Sequence, residues 1–293
     1  MKTAVLIFNP QAGSWQTAQR ISAIQYALEK AGYQAQALPT EAPGHATALA
    51  HEAALGEIEV VFTHGGDGTL REAAAGLLGS ATALAPIPGG TVNVIARALG
   101  LPLNPVRAAK ALAGAKAVTV DVGLCGDEIF LMQTSAGLDA HVMGRLEPGL
   151  KRYLGKAAVA FSGLRHFATY QYPMIELYAD GRHLTATLAV ICNLPYYAGA
   201  WQMAPGASVS DQILDLVLFH GKGGLQTLGF ARDFVLGRHL KRPDVELIRT
   251  EEVELKGPSD VEVQLDGDTL PIQLPVSVTV HPERLQVLRP ETV

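Results

Sequence analysis

Residues 63–72 read Thr-His-Gly-Gly-Asp-Gly-Thr-Leu-Arg-Glu, a single acid set among three glycines. The stretch leaves the apolar run Val60-Val61-Phe62 and enters an alanine-rich segment at residues 73–78. A strand-to-helix turn without Cβ atoms brings the backbone close to a bulky ligand. The first amides of the helix then point at that ligand, and the helix dipole favours an anion, typically phosphate. Thr69 is placed to cap the helix and to offer a hydroxyl to a phosphate oxygen. The competing reading is an ordinary glycine-rich turn with an N-capping acid.

Two more small-residue loops weigh against that plain reading. Asn9-Pro10-Gln11-Ala12-Gly13-Ser14 follows the first strand, and Pro88-Gly89-Gly90-Thr91-Val92-Asn93 follows a later one, each before a helix. All three loops fall at the carboxyl ends of expected parallel strands, where open α/β sheets bind ligands. Together they read as a nucleotide cradle. It is not the Walker type, since no GxxxxGK[ST] occurs, nor the dinucleotide type, since GxGxxG is absent.

The elements that would carry these loops follow from the apolar rhythm. Over the first ~120 residues, short apolar runs alternate with helical patterns, as in a mainly parallel sheet covered by helices. Strands are expected at 3–8, 33–38, 58–63 and 83–87, and helices at 45–55, 70–78 and from about 91. A further helix carries Ile21, Ile24, Leu28 and Ala31 and is stopped by Gly32. Residues 117–122 form an exit strand. Beyond them the pattern is mostly antiparallel β: two strands within 173–193 around the turn Asp180-Gly181, then runs at 213–219, 245–249, 252–256, 260–265 and 276–281. Helices near 150–168 and 222–238 interrupt this sandwich. The fold class is α/β in two domains, an N-terminal α/β nucleotide-binding domain and a C-terminal β-sandwich.

The 293 residues, 48% hydrophobic and 17% charged, can bury two cores. A net charge of −5 argues against nucleic acid held by general electrostatics. Cys125 and Cys192 lie outside any metal-ligand spacing and read as reduced thiols. The first apolar run is too short for a signal peptide, and no run reaches membrane-spanning length, so a cytoplasmic protein is expected.

The set NPQAG at 9–13, GGDGT at 65–69 and GGTVN at 89–93 resembles, in order and spacing, the diacylglycerol kinase catalytic family, which includes soluble bacterial lipid kinases and the sphingosine and ceramide kinases. The likeness extends through the second half, where 204–219 is similar to a metal-loop segment and Leu-Asp-Gly-Asp at 265–268 to a catalytic corner. It implies ATP and Mg²⁺ as cofactors, a lipid substrate, peripheral contact with the inner membrane face, and an active site in the cleft between the domains. It also implies domain limits of 1–124 with a returning segment at 283–293, and 125–282. A homodimer is left open.

Carried over by resemblance, the ATP cradle is Asn9, Pro10, Gln11, Ala12, Gly13, Thr40, Gly66, Asp67, Gly68, Thr69, Leu70, Arg71, Glu72 and Thr91. Asp67 would help hold magnesium, a hard cation that takes oxygen ligands, and Asp121 would join its water network, against the alternative of a solvated strand-end acid. Asp268 would be the general base, with Asp266 structural or supporting. Here the sequence has Asp-Gly-Asp where the family has Asp-Gly-Glu, and Val94 where diacylglycerol kinases carry Asp. A structural magnesium would be held by Asp211 with the carbonyls of Ser208 and Ile213.

Two features stay double-sided. The expected helix 150–168 groups Lys151, Arg152, Lys156 and His166, with Arg165 at the margin. That is either a solvated basic face or a contact for anionic headgroups. Tyr196, Tyr197 and Trp201 either line an acyl route or pack in the core. Two other functions compete with a lipid kinase. An NAD kinase also uses GGDGT, but its expected Asn-Glu pair is absent. A non-catalytic nucleotide- or lipid-binding relative draws its support from Asp268 and Val94.

Overall fold

The computed structural model of the chain describes residues 1–12, 17–145, 170–197 and 201–290. The chain forms two compact units, Met1–Asp121 with Pro282–Val293, and Val122–His281.

The first unit alternates strands and helices: β1 (Lys2–Phe8), α1 (Thr17–Lys30), β2 (Tyr33–Pro39), α2 (His45–Leu55), β3 (Val60–Gly65), α3 (Asp67–Leu77), β4 (Ala83–Pro88), α4 (Val94–Ala98), α5 (Pro105–Leu112) and β5 (Lys116–Val120). Strands β2, β1, β3 and β4 pair in parallel in that order. Every residue of β3 and β4 is buried, as expected where helices cover both faces of a parallel sheet. On one face Leu6, Phe62 and Ile87 pack against Ile21, Ile24 and Leu28 of α1 and Leu112 of α5. The strand Leu285–Arg289, from the end of the chain, inserts between β4 and β5, parallel to the former and antiparallel to the latter.

The second unit is a sandwich of two antiparallel sheets. Its elements are β6 (Gly123–Cys125), β7 (Glu128–Phe130), β8 (Gln133–Gly137), α6 (Leu138–Gly144), β9 (Ile175–Ala179), β10 (Arg182–Ala186), β11 (Leu188–Cys192), β12 (Tyr196–Tyr197), β13 (Trp201–Gln202), β14 (Leu214–Phe219), α7 (Gly224–Val235), β15 (Val245–Thr250), β16 (Glu252–Lys256), β17 (Val263–Leu265), β18 (Asp268–Thr269) and β19 (Val276–Val280); the returning strand of the first unit is β20 (Leu285–Arg289). One sheet runs β10-β9-β16-β19-β6-β7 and the other β15-β14-β11-β8-β17-β18. Alternation along β11 explains its unbroken apolar sequence. Ala189 and Ile191 face the sandwich core, while Leu188, Val190 and Cys192 face Phe230 and Phe234 of α7.

Several expectations change in detail. Residues 173–193 hold three strands rather than two, because a bend at Thr187 separates β10 from β11. Strands β6, β7 and β8 lie where no strand was expected. Helix α3 begins three residues early, at Asp67, and α4 about three residues late, at Val94. The expected basic helix 150–168 lies outside the described residues.

Candidate active site

Register brings the small-residue loops together. Phe8 of β1 pairs with Pro39 of β2 and His64 of β3, and Gly65 of β3 pairs with Pro88 of β4. The four parallel strands therefore end on one edge, and backbone bonds tie their exits. The Asn9 amide donates to the His64 carbonyl (3.0 Å), the Thr40 amide to that of Phe8 (2.8 Å), and the Gly89 amide to that of Gly65 (2.9 Å). The Asn9 side chain then accepts from the Gln11 amide at 2.9 Å, turning the chain at Pro10. Asn9, Pro10, Gln11, Ala12, Thr40, Gly66 and Thr91 thus border one strip of surface. Gly13 lies outside the described residues.

Helix α3 starts at this edge with Gly66 as its N-cap, and no side chain caps it. Thr69 is therefore not the cap: it sits in the first turn, its side chain packed under Gly65, where a Cβ would meet it at 2.7 Å. Gly68 and Arg71 occupy the same opening turns of the helix. Leu70 is buried in the core. The Glu72 carboxylate turns away from the strip and accepts from the Ala46 amide at the start of α2 (3.3 Å). The Asp67 carboxylate accepts from the Val94 amide at 3.2 Å, joining the bend to the next loop. In that loop Asn93 is the staple: its Oδ1 accepts from the amides of Gly89 (3.2 Å) and Gly90 (2.8 Å), and its Nδ2 donates to the Gly90 carbonyl. Beneath lies His64, whose burial holds its ring below the usual histidine range and so neutral.

Asp121 is not a solvated strand-end acid. It is 2% exposed, and Arg284 Nε from the returning segment lies 2.8 Å from its Oδ1.

In the second unit, Asp266 and Gly267 have φ of 52° and 89° and form the two-residue turn between β17 and β18. The Asp266 carboxylate accepts from three consecutive amides, Leu131 (2.8 Å), Met132 (2.8 Å) and Gln133 (3.1 Å). Its neighbour Asp268 is exposed on the far side of the turn. Behind the turn lies a buried polar cluster that the sequence reading passed over. The Asp139 carboxylate, on α6, accepts from Ser135 Oγ (2.5 Å), Gln264 Nε2 (3.1 Å) and the Tyr197 hydroxyl. Gln264 Oε1 in turn accepts from the Gly267 amide at 2.7 Å. Burial pushes the Asp139 carboxyl above the usual range in spite of these donors, and the Tyr197 hydroxyl well above its own. The available signal was an acid two residues after a glycine, in Ser135-Ala136-Gly137-Leu138-Asp139.

Tyr197 and Trp201 are half-buried and pack on Phe234 at the edge of the aromatic cluster, with ring centroids 5.4 and 6.2 Å away. Tyr196 is half-buried on β12. The expected metal loop is engaged by protein groups: Asp211 pairs with Arg249 and accepts from the Ile213 amide (3.3 Å), and the hydroxyls of Ser208 and Ser210 are 3.1 Å apart. The Asp211 carboxylate of this loop is thus shared with the Arg249 guanidinium.

Comparison with known proteins meets this geometry at both ends of the chain. Residues 3–125 match the diacylglycerol kinase catalytic domain. Residues 132–289 match the YegS C-terminal NAD kinase beta sandwich-like domain, a match that runs on through β20. The chain belongs to the diacylglycerol kinase catalytic family. Among its relatives is the Pseudomonas putida protein named "Probable lipid kinase YegS-like", 32% identical over 83% of this chain and 81% of its own. A diacylglycerol kinase of Bacillus subtilis is 27% identical over 92% and 90% of the two chains. A crystal structure of a diacylglycerol kinase from Bacillus anthracis shares the fold at 22% identity, with a TM-score of 0.76 over 98% of this chain and 97% of that one.

Proposed function

We propose that the chain is an ATP- and magnesium-dependent kinase transferring the γ-phosphate of ATP to a hydroxyl of a diacylglycerol-like or sphingoid-like lipid. The observation that carries this reading is the uncapped N-terminus of α3, opening onto an edge where the loops after β1, β3 and β4 converge. Its amides and dipole suit the anionic phosphates. Asn9, Pro10, Gln11, Ala12, Thr40, Thr91 and the first turns of α3 border the nucleotide. Asp67 would offer an oxygen ligand to magnesium, which when bound would supply charge neutralisation at the phosphates.

The lipid hydroxyl oxygen forms the new bond to the γ-phosphorus while the bond to the β–γ bridging oxygen breaks, and ADP leaves. The hydroxyl proton passes to the Asp268 carboxylate, acting as general base. Asp266 holds the turn through its three amide bonds, a structural or supporting role. Asp121, paired with Arg284, enters this reading as the anchor of the returning segment.

The test incubates the purified protein with γ-labelled ATP, magnesium and, separately, diacylglycerol, a sphingoid base and NAD. Label in a lipid, lost on omitting magnesium, supports the reading. Label in NAD alone assigns an NAD kinase, and no label in any acceptor assigns a non-catalytic relative.

A further inference from the structure

Helix α7 is apolar on two opposite sides. Its inner side carries Phe230 and Phe234 into the cluster with Val190, Cys192, Val217 and Phe219. The outer side carries Leu225, Leu228, Val235 and, at the C-cap, Leu236, which are 88%, 41%, 53% and 56% exposed. At 100° per residue these four and Arg232 fall within an arc about 100° wide, roughly opposite Phe234. A soluble protein has no packing reason to present such a stripe to water.

Charge around the stripe is just as uneven. Between Lys222 and Arg242 the sequence has five Lys and Arg against the single acid Asp233, in a chain whose net charge is −5. Arg242 is bound by Asp233 and Asp244, and Arg232 also bonds Asp233. Lys222 before the helix, and Arg238 and Lys241 after it, are exposed. The stripe therefore has a cation beyond each end. An antiparallel pairing of two copies through this stripe would set cationic ends against each other, whereas an anionic lipid surface complements both ends at once.

We infer that the outer face of α7 is a membrane-docking surface, with Leu225, Leu228, Val235 and Leu236 entering the acyl boundary of an anionic bilayer and Lys222, Arg238 and Lys241 meeting its headgroups. The aromatic inner face keeps the helix fixed to the sandwich while it docks. The inference rests on the lipid-kinase reading for its purpose, but the binding it describes needs no turnover.

The test is co-sedimentation of the full chain, without ATP, with vesicles of phosphatidylglycerol and phosphatidylcholine or of phosphatidylcholine alone. Binding should favour the anionic vesicles and weaken with salt. Leu225→Ser with Leu236→Ser should lower the partition coefficient at least tenfold. Lys222→Gln and Arg238→Gln should each lower it about fivefold, equivalent to ~1 kcal/mol per charge. Both sets remove exposed side chains, so thermal midpoint and activity on short-chain, monomeric diacylglycerol should hold. Wild-type protein that ignores anionic vesicles, or variants that bind as well as wild type, would overturn the inference. So would a wild-type dimer that Leu225→Ser converts to monomer, because the stripe would then be a self-interface. Vesicle binding without kinase activity in any variant would sink the proposed function and leave the docking surface standing.

Discussion

A side chain on Gly90 would place its Cβ 2.6 Å from the Cα of Gly66, so the loops after β3 and β4 pack backbone on backbone. The reverse is not true. A Cβ on Gly66 would find its nearest neighbour at 3.7 Å, and its φ of −85° suits any residue. The fold needs Gly90 to be bare, whereas nothing in the protein itself needs Gly66 to be. Gly90→Ala should therefore lower the thermal midpoint. Gly66→Val should fold normally and raise the Michaelis constant for ATP much more than that for lipid. Unchanged ATP affinity in folded Gly66→Val would remove ligand approach as the reason for this glycine.

Asp67→Asn keeps a side-chain oxygen for the Val94 amide, so the bend should survive. The lost anion should lower magnesium-dependent turnover by on the order of 10²–10³-fold. The check is turnover against magnesium concentration beside a melting curve. Near-wild-type turnover would take the cradle assignment away.

Asp268→Asn should lower turnover roughly 10²–10⁴-fold while sparing ATP binding, the usual loss for a positioned base. Asp268 is exposed on a turn held by Asp266 and Gln264, so the longer Asp268→Glu should retain most activity. Single-turnover rates with ATP-binding titrations distinguish the outcomes. Full activity in Asp268→Asn would assign proton removal elsewhere.

The buried Asp139 makes stability depend on pH with a definite sign. Its folded-state pKa lies above the ordinary aspartate value of 3.8, so the unfolded chain gives up this proton first. Its contribution to stability is therefore greatest in acid and declines as pH rises from about 4 through the folded-state value. Asp139→Asn cannot ionise. Melting curves from pH 4 to 7 should show wild type losing more stability than the variant across that window, and parallel curves would contradict the assignment.

Arg284→Met should take from the buried Asp121 carboxylate the guanidinium that lies 2.8 Å from it. The guanidinium side chain is about one-third exposed, so the expected loss is about 2–3 kcal/mol rather than the larger penalty of a fully buried pair. Chemical denaturation measures it directly. Removing both charges with Asp121→Asn and Arg284→Met should recover part of that loss.

What could be read in the sequence was local. Val60-Val61-Phe62 followed by Gly65-Gly66 announces a buried strand and a bend, because burial on both faces and missing Cβ atoms leave direct traces. Strands β6 and β7 left none, since three residues each are too few to show a period of two. The polar cluster was equally hidden: Ser135, Asp139, Tyr197 and Gln264 meet only after three separate segments pair. Glu72 shows the same limit from the other side. Its position in the glycine motif suggests a ligand contact, but its carboxylate accepts from the start of α2, which no motif records.

Strand β20 gives this protein an unusual order of events during synthesis. Gln286 reaches Thr119 across 167 positions of sequence, and the strand between β4 and β5 emerges from the ribosome only after the whole sandwich. Until then the first unit lacks its closing partner, leaving β4 and β5 as open edges that invite wrong pairing. The sandwich, made entirely in between, can pack while the older segment still waits. Nucleotide-binding competence should therefore appear late on a nascent chain, after the sandwich has already become resistant to protease.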